Sequence, residues 1–430
     1  MANNERNDGT IRKGDYLPAG KKLVLGIQHI FTMFGATVLV PLLTGLDTSV
    51  ALFGAGIGTL IFHLATKGKV PAFLGSSFAF IPVIISVGMT GGVEQFSPEY
   101  MANLQYAQGG LVAAGIVYVI LAIIVKLVGP ELITSIFPPV VTGPIIMVIG
   151  LNLAPTAIDM ASANWLLAVI CLLVVTIVNI YGKGFIRVLP VLCGLVVGYV
   201  VSIFMGLVDF STIADAAWVA VPNFTLAKFS GSALTIIAPV AIVTVVEHVG
   251  DVLAISATVE ENFVEDPGVH RTLIGDGVAT AVAGLIGAPA NTTYSENTGV
   301  LALTRVWEPS IMRIAAVGAI IIAFIGKIGA VINTIPVAVV GGISIILFGI
   351  IAAIGVRTVV ENQVDFTASR NLIIASVILV LGIGGAVFSI PLGGDAKIEF
   401  AGMALAAIFG IILNKILPPA ESEKPAKTDE

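Results

Sequence analysis

Residues 164–181 read NWLLAVICLLVVTIVNIY, a run without a single charge. Wound as a helix at 1.5 Å per residue, it covers about 27 Å, close to the roughly 30 Å of a bilayer's hydrocarbon core. Its apolar residues do not alternate with polar ones, as the strands of a transmembrane barrel would. Comparable runs recur along the chain, among them LQYAQGGLVAAGIVYVILAIIVKL at 104–127. The pattern predicts an all-α polytopic membrane protein.

Composition points the same way. The 430 residues are 57% hydrophobic and 11% charged, with a mean hydropathy of +1.03. Soluble globular chains carry about a quarter charged residues. So little polar surface cannot clothe so much apolar volume in water, and lipid must act as solvent for the apolar face. The N-terminal MANNERNDGTIRKGDYLPAGKK is long and polar. It lacks the short apolar region and small-residue cleavage site of a signal peptide. Cys171 and Cys193 lie in apolar stretches and read as small buried hydrophobes.

Hydropathy gives fourteen candidate spans, with cores near 24–44, 48–66, 71–88, 104–127, 138–155, 164–181, 187–208, 232–253, 273–289, 291–304, 311–326, 332–352, 371–390 and 400–419. Two are poor plain helices. Residues 71–88, PAFLGSSFAFIPVIISVG, hold proline, glycine and serine near the middle, and 291–304, NTTYSENTGVLALT, are polar through their first half. Charge placement tests the count. With a cytoplasmic N-terminus and one crossing per span, all of the 21 Lys and Arg except Lys228, Lys327 and Lys397 fall on the cytoplasmic side. That is the positive-inside rule. Dropping one odd span would invert the bias over part of the chain, so both count as crossings and both termini are cytoplasmic. Seven plus seven spans put corresponding positions in opposite orientations. The odd segments, third and tenth, then match in an inverted repeat, and interrupted helices in matching positions point to a midplane binding site. Residues 209–231 face outside. The cytoplasmic connection 254–272 carries Glu260, Glu261, Glu265 and Asp266 and is expected to hold a short surface helix. The polar end of the chain, 420–430, is expected to be disordered.

Polar groups within spans are expensive and need a reason. In the eighth span, LTIIAPVAIVTVVEHVGDVLAISA, Glu247 and Asp251 are four residues apart on one helical face. They suit substrate or proton binding, or an ion-paired structural site. His248 points about 100° away and reads as structural. Glu296 is flanked by Asn291, Thr292, Thr293, Tyr294, Ser295, Asn297 and Thr298, too polar a run for a lipid face. Gly299 allows close backbone approach. A helix broken here leaves N–H groups free for a carbonyl or an anion. The third segment offers Gly75, Ser76, Ser77 and Phe78, followed by Pro82, which frees backbone groups. Phe78 suits stacking on a flat ring or ordinary packing. Gln28 and His29 suit an interhelical hydrogen bond. Asp276, between Gly275 and Gly277, suits a cap or a polar pair. No nucleophile–base set, phosphate or nucleotide motif, or metal cluster appears. An enzyme, a cofactor, a metal and a nucleic-acid partner are therefore not expected.

The stretch ENTGVLALTR, Glu296 to Arg305, carries an acidic residue, Asn, any residue, Gly, four residues, Thr and a basic residue. This is the signature of the nucleobase–ascorbate transporter family, also called nucleobase:cation symporter 2. The blocks QHIFTMFGATVLVP, FLGSSFAF, EHVGD and NTTYSEN resemble its bacterial uracil-carrying members, and the likeness runs from about residue 20 to 419. The resemblance implies fourteen segments in a 7+7 inverted repeat, with segments 3 and 10 interrupted by short extended stretches. It implies a core domain of 23–128 (spans 1–4) and 232–328 (spans 8–11). A gate domain would hold 129–208 (spans 5–7) and 329–419 (spans 12–14). Tails at 1–22 and 420–430 and the outer connection 209–231 complete the chain. It further implies proton-coupled uracil uptake across the cytoplasmic (inner) membrane of a bacterium, with a homodimer through the gate domain. Glu247 and Glu296 would hold the ring edge, helped by backbone at Phe78 and Ser295, with Tyr294 and Ala36 lining the site. Asp251, Glu247 and Glu296 are the candidate proton carriers. Gln28, His29, Ser77, Asn297 and Gly299 would support them. The bacterial uracil-carrying member that these blocks resemble holds histidine where Asp251 stands. Purine carriers often hold aspartate there, but generally have Gln at the position of Glu296, so a xanthine or other purine-base symporter is the alternative. Uracil's two N–H groups and two carbonyls match carboxylate acceptors and free backbone donors.

Overall fold

In hydrocarbon every backbone N–H and C=O needs a partner within the protein, and a helix supplies its own. The computed structural model describes residues 10–129, 136, 138–393 and 396–418. The expected tail 420–430 and the first nine residues lie outside the described residues. In chain order the first helices are α1 (Ala19–Thr44), α2 (Thr48–Ala65), α3 (Ile81–Gly88), α4 (Pro98–Val128), α5 (Pro139–Asn152), α6 (Ala154–Ser162), α7 (Trp165–Tyr181), α8 (Pro190–Phe204) and α9 (Phe210–Asp215). They are followed by α10 (Gly231–Ile237), α11 (Val240–Val259), α12 (Val269–Ile286), α13 (Ser295–Thr304), α14 (Ser310–Ala323), α15 (Gly326–Asn333), α16 (Val337–Glu361), α17 (Ser369–Ile383) and α18 (Gly402–Ile416). Among the described residues, six helical stretches are long and apolar enough to cross a membrane: α1, α2, α4, α5 with α6, α10 with α11, and α16. The chain is an all-α polytopic membrane protein.

Local chemistry sets many boundaries. Asp47 caps α2 by accepting from Val50 N (2.9 Å), and Ser97 caps α4 by accepting from Tyr100 N (3.2 Å). Gly45, at φ 78°, ends α1. Pro239 separates α10 from α11, and Pro336 precedes α16.

The helices sort into two packed groups. α12 lies against α4 and α2, and α14 against α2 and α1; α16 lies against α5, α6 and α7, with α7 on α8 and α17 on α18 and α5. Within the first group run two three-residue strands, β1 (Leu74–Ser76) and β2 (Asn291–Thr293), paired antiparallel with Gly75 opposite Thr292. Flanking bonds from Ser77 N to Ala290 O (2.8 Å) and from Tyr294 N to Phe73 O (3.0 Å) extend the ladder. A hydroxyl from the helix before each strand closes its outer edge. Thr59 of α2 accepts from Leu74 N (2.9 Å) and lies 3.2 Å from Leu74 O. Thr280 of α12 accepts from Asn291 N (3.2 Å) and donates to Asn291 O (3.0 Å). Extended backbone is thereby satisfied where water is scarce. A 3₁₀ turn, Phe78–Phe80, leads β1 into α3, while β2 leads into α13.

The structure corrects several expected boundaries. α11 continues to Val259, six residues past the expected end at 253, and the connection holds a single wide turn at Val264–Gly268 in place of a regular surface helix. α16 runs on to Glu361, since nothing after 352 breaks it. α17 stops at Ile383, where Gly384 and Gly385 (φ 66°) end it. The expected helical end to 390 is instead the hairpin of β3 (Val387–Gly393) and β4 (Ala396–Ala401). Hydropathy alone reads Val-Phe-Ser-Ile as helix, though β-branched and aromatic residues favour a strand. Residues 11–14, expected as part of the N-terminal tail 1–22, lie against Arg305–Glu308, and α1 begins inside that expected tail.

Candidate binding site

Glu247 and Asp251 lie one turn apart on α11, whose side chains four residues apart share a face. Both open on a cavity of about 330 Å³, also lined by Thr32 and Ala36 of α1, Phe78, and Tyr294, Ser295 and Glu296 at the start of α13. Its size falls within the range of small-molecule sites. The opposite wall is largely aliphatic and comes from the second helix group, with Ile146, Val191, Leu192, Leu347 and Ile351.

The strand pair aims the groups. Asp251 accepts from the Thr293 hydroxyl at 2.7 Å. Glu247 Oε2 is buried and has no hydrogen-bond partner among the described residues. The Tyr294 hydroxyl donates to Ser76 O (3.0 Å) and lies 3.3 Å from Thr37 Oγ1. Its ring covers Gly75 so closely that any Cβ there would overlap it. Glu296 sits in the first turn of α13. The first N–H groups of a helix have no partner inside it, and its N-terminus favours negative charge. The Phe78 ring meets Phe348 edge-on at 6.4 Å.

The predicted residues divide cleanly. Ala36, Phe78, Glu247, Asp251, Tyr294, Ser295 and Glu296 line the cavity. Gln28, His29, Ser77, Asn297 and Gly299 do not. His29 and Asn297 are buried and join α1 to α13, with Asn297 Nδ2 3.0 Å from His29 Nδ1 and donating to His29 O (3.2 Å). The interhelical bond expected of His29 is thus to Asn297, while Gln28 offers its carbonyl to Thr32 (3.0 Å). Ser77 is buried beside the ladder. A Cβ at Gly299 would meet nothing closer than Val188 at 3.7 Å, so the close approach expected there is absent. His248 faces away, fully buried, its Nδ1 2.9 Å from Asp276 Oδ2. Asp276 lies inside α12 and pairs there; it does not cap the helix. Thr32, Asn179 and the aliphatic wall carry no signal strong enough to single them out in the sequence, although the odd polarity of 291–298 had marked Thr293.

A family model described as a permease family matches residues 20–390. The chain belongs to this family. The uracil permease of Bacillus subtilis (strain 168) is 45% identical over 423 residues, covering 94% of each chain. The uracil permease of Escherichia coli (strain K12) is 38% identical over 411 residues, covering 93% of this chain and 92% of that one. These permeases bear out the resemblance to nucleobase–ascorbate transporters, a class of transporters and not of enzymes. Among solved structures, the transmembrane domain of a cyanobacterial bicarbonate transporter, BicA, superposes with a TM-score of 0.59 at 16% identity, covering 90% of this chain and 96% of that one. At that identity the likeness concerns the fold.

Proposed function

We propose that the chain is a proton-coupled uracil permease that carries uracil into the cell. One observation carries the reading: a single cavity brings the carboxylates of Glu247 and Glu296 together at the start of α13, the helix end where backbone N–H groups point out of the helix. Ionised carboxylates only accept hydrogen bonds, while free backbone N–H groups donate them. A flat ring with two N–H groups and two carbonyls satisfies both, with Phe78 and Tyr294 at its faces. The uracil permeases among the relatives support the same substrate. Asp251, in place of the histidine of the bacterial uracil carrier that the sequence resembles, favours a purine base such as xanthine as the second reading. Uptake of labelled uracil and labelled xanthine in cells lacking their own carriers separates them. Saturable uracil uptake that unlabelled xanthine does not compete away is expected. Xanthine uptake without uracil uptake would reverse the assignment.

In this reading the two helix groups are the core domain (23–128, 232–328) and the gate domain (129–208, 329–419), built as fourteen spans in a 7+7 inverted repeat. The matched roles of Thr59 before β1 and Thr280 before β2 support the repeat. Both termini are cytoplasmic, residues 209–231 face outside the inner membrane, and a homodimer forms through the gate domain. Single cysteines placed in 209–231 should react with an impermeant maleimide added to intact cells. Reaction only after the cytoplasmic face is opened would refute this topology.

A further inference from the structure

The chain ahead of α1 is held against the ends of two site helices. Ile11 bridges to the segment after α13: its N–H donates to Arg305 O (2.9 Å) and its carbonyl accepts from Trp307 N (2.7 Å). Gly14 N donates to Glu308 Oε2 (3.1 Å). Arg12 pairs with Glu260 at 2.6 Å and lies 4.8 Å above the Trp307 ring. Ile11 packs on a small separate cluster of Leu17, Leu25, Val306 and Ile311. Terminal segments are poorly ordered unless something ties them down. Here the ties fall at two specific places. Glu260 is the residue that ends α11, and Arg305 is the residue that ends α13, each at φ 54°. Those helices carry Glu247 and Asp251, and Glu296.

We propose that residues 11–17 form a cytoplasmic staple that locks the end of α11 to the end of α13, and so sets the spacing of the carboxylates across the cavity. Arg12 is a positioning residue: it touches no substrate and acts through Glu260 and Trp307. Each helix is a rigid rod, so a shift at its cytoplasmic end is carried to the carboxylates two to four turns away. Lys69, in the segment after α2, pairs with Asp266 on the connection after α11 and braces the same face. This inference rests on the cavity being the uracil site.

The test uses Arg12→Glu, Glu260→Arg and the double variant in the full chain, reconstituted and normalised to inserted protein. Each single variant opposes like charges; Arg12→Glu also removes the cation over Trp307, which Glu260→Arg leaves in place. The KM for uracil should rise about fivefold in each, and the double variant should return to within about twofold of the parent. Hydrogen exchange at 253–260 and 301–306 should rise together in the single variants and fall back in the double, with or without uracil. If Arg12→Glu fails to insert, Arg12→Gln serves, with about a twofold rise in KM and the same paired exchange change. A parent that carries no uracil would overturn the functional reading, while the exchange data still test the staple. Single variants with parental KM and parental exchange would overturn the staple, as would a double variant that restores neither.

Discussion

Glu296→Gln should lower uracil uptake at least about a hundredfold in correctly inserted protein. A hydrogen bond to a charged group is worth about 1.5–3 kcal/mol, and each 1.4 kcal/mol is a factor of ten. The substitution keeps size and shape but turns one acceptor into a donor. A ring N–H then faces an amide N–H, so the lost attraction is joined by a clash of donors. The side chain sits in the first turn of α13, where removing a negative charge also forfeits a favourable helix-end interaction. Xanthine should gain weak entry, because purine carriers generally hold Gln at this position. Competition assays with both bases measure the two effects together. Unchanged uracil affinity in a properly inserted variant would remove Glu296 from the site.

Asp251→Asn should abolish pH-driven accumulation while sparing uracil exchange. The asparagine mimics a permanently protonated side chain. Asp251 lies one turn beyond Glu247 and holds the Thr293 hydroxyl at 2.7 Å, so it stands beside the carboxylate proposed to hold the ring without needing to touch the ring itself. Symport requires that the proton favour the substrate-competent state and that substrate favour proton binding in return. With one proton per uracil, a gradient of one pH unit, acid outside, can drive accumulation up to about tenfold. In reconstituted vesicles the parent should approach that ratio and lose it as the outside is made alkaline. The variant should equilibrate uracil at a ratio of about one at every pH, with exchange within about threefold of the parent. Intact pH-driven accumulation by Asp251→Asn would exclude Asp251 as the obligatory proton site and pass the role to Glu247 or Glu296.

The carboxylates were legible in the sequence because a charge inside an apolar run has few alternatives to function, and the four-residue spacing of Glu247 and Asp251 placed them on one face. The polar, proline- and glycine-bearing segments were legible as interruptions for the same reason. Their pairing into one sheet was not, because strand partners distant in the chain leave no local trace. The aliphatic wall of Ile146, Val191 and Leu347 was silent, since a cavity-lining isoleucine looks like any lipid-facing one. The β3–β4 hairpin was missed because a short apolar run does not distinguish strand from helix end. The docked N-terminal segment was missed because polar, charged sequence reads as solvated tail until its partners at Glu260 and Trp307 are seen.

The cavity is divided by chemistry as well as by packing. Nearly every hydrogen-bonding side chain stands on α1, α11, α13 and the turns beside them, while the facing wall from α5, α8 and α16 is almost wholly aliphatic. A ligand held on the polar side can slip past the facing wall without breaking a directional bond at each increment. Dispersion contacts re-form continuously as surfaces shear, whereas hydrogen bonds must be given up one by one. In the proposed transport reading, the greasy half of the pocket offers a surface along which the polar half can slide.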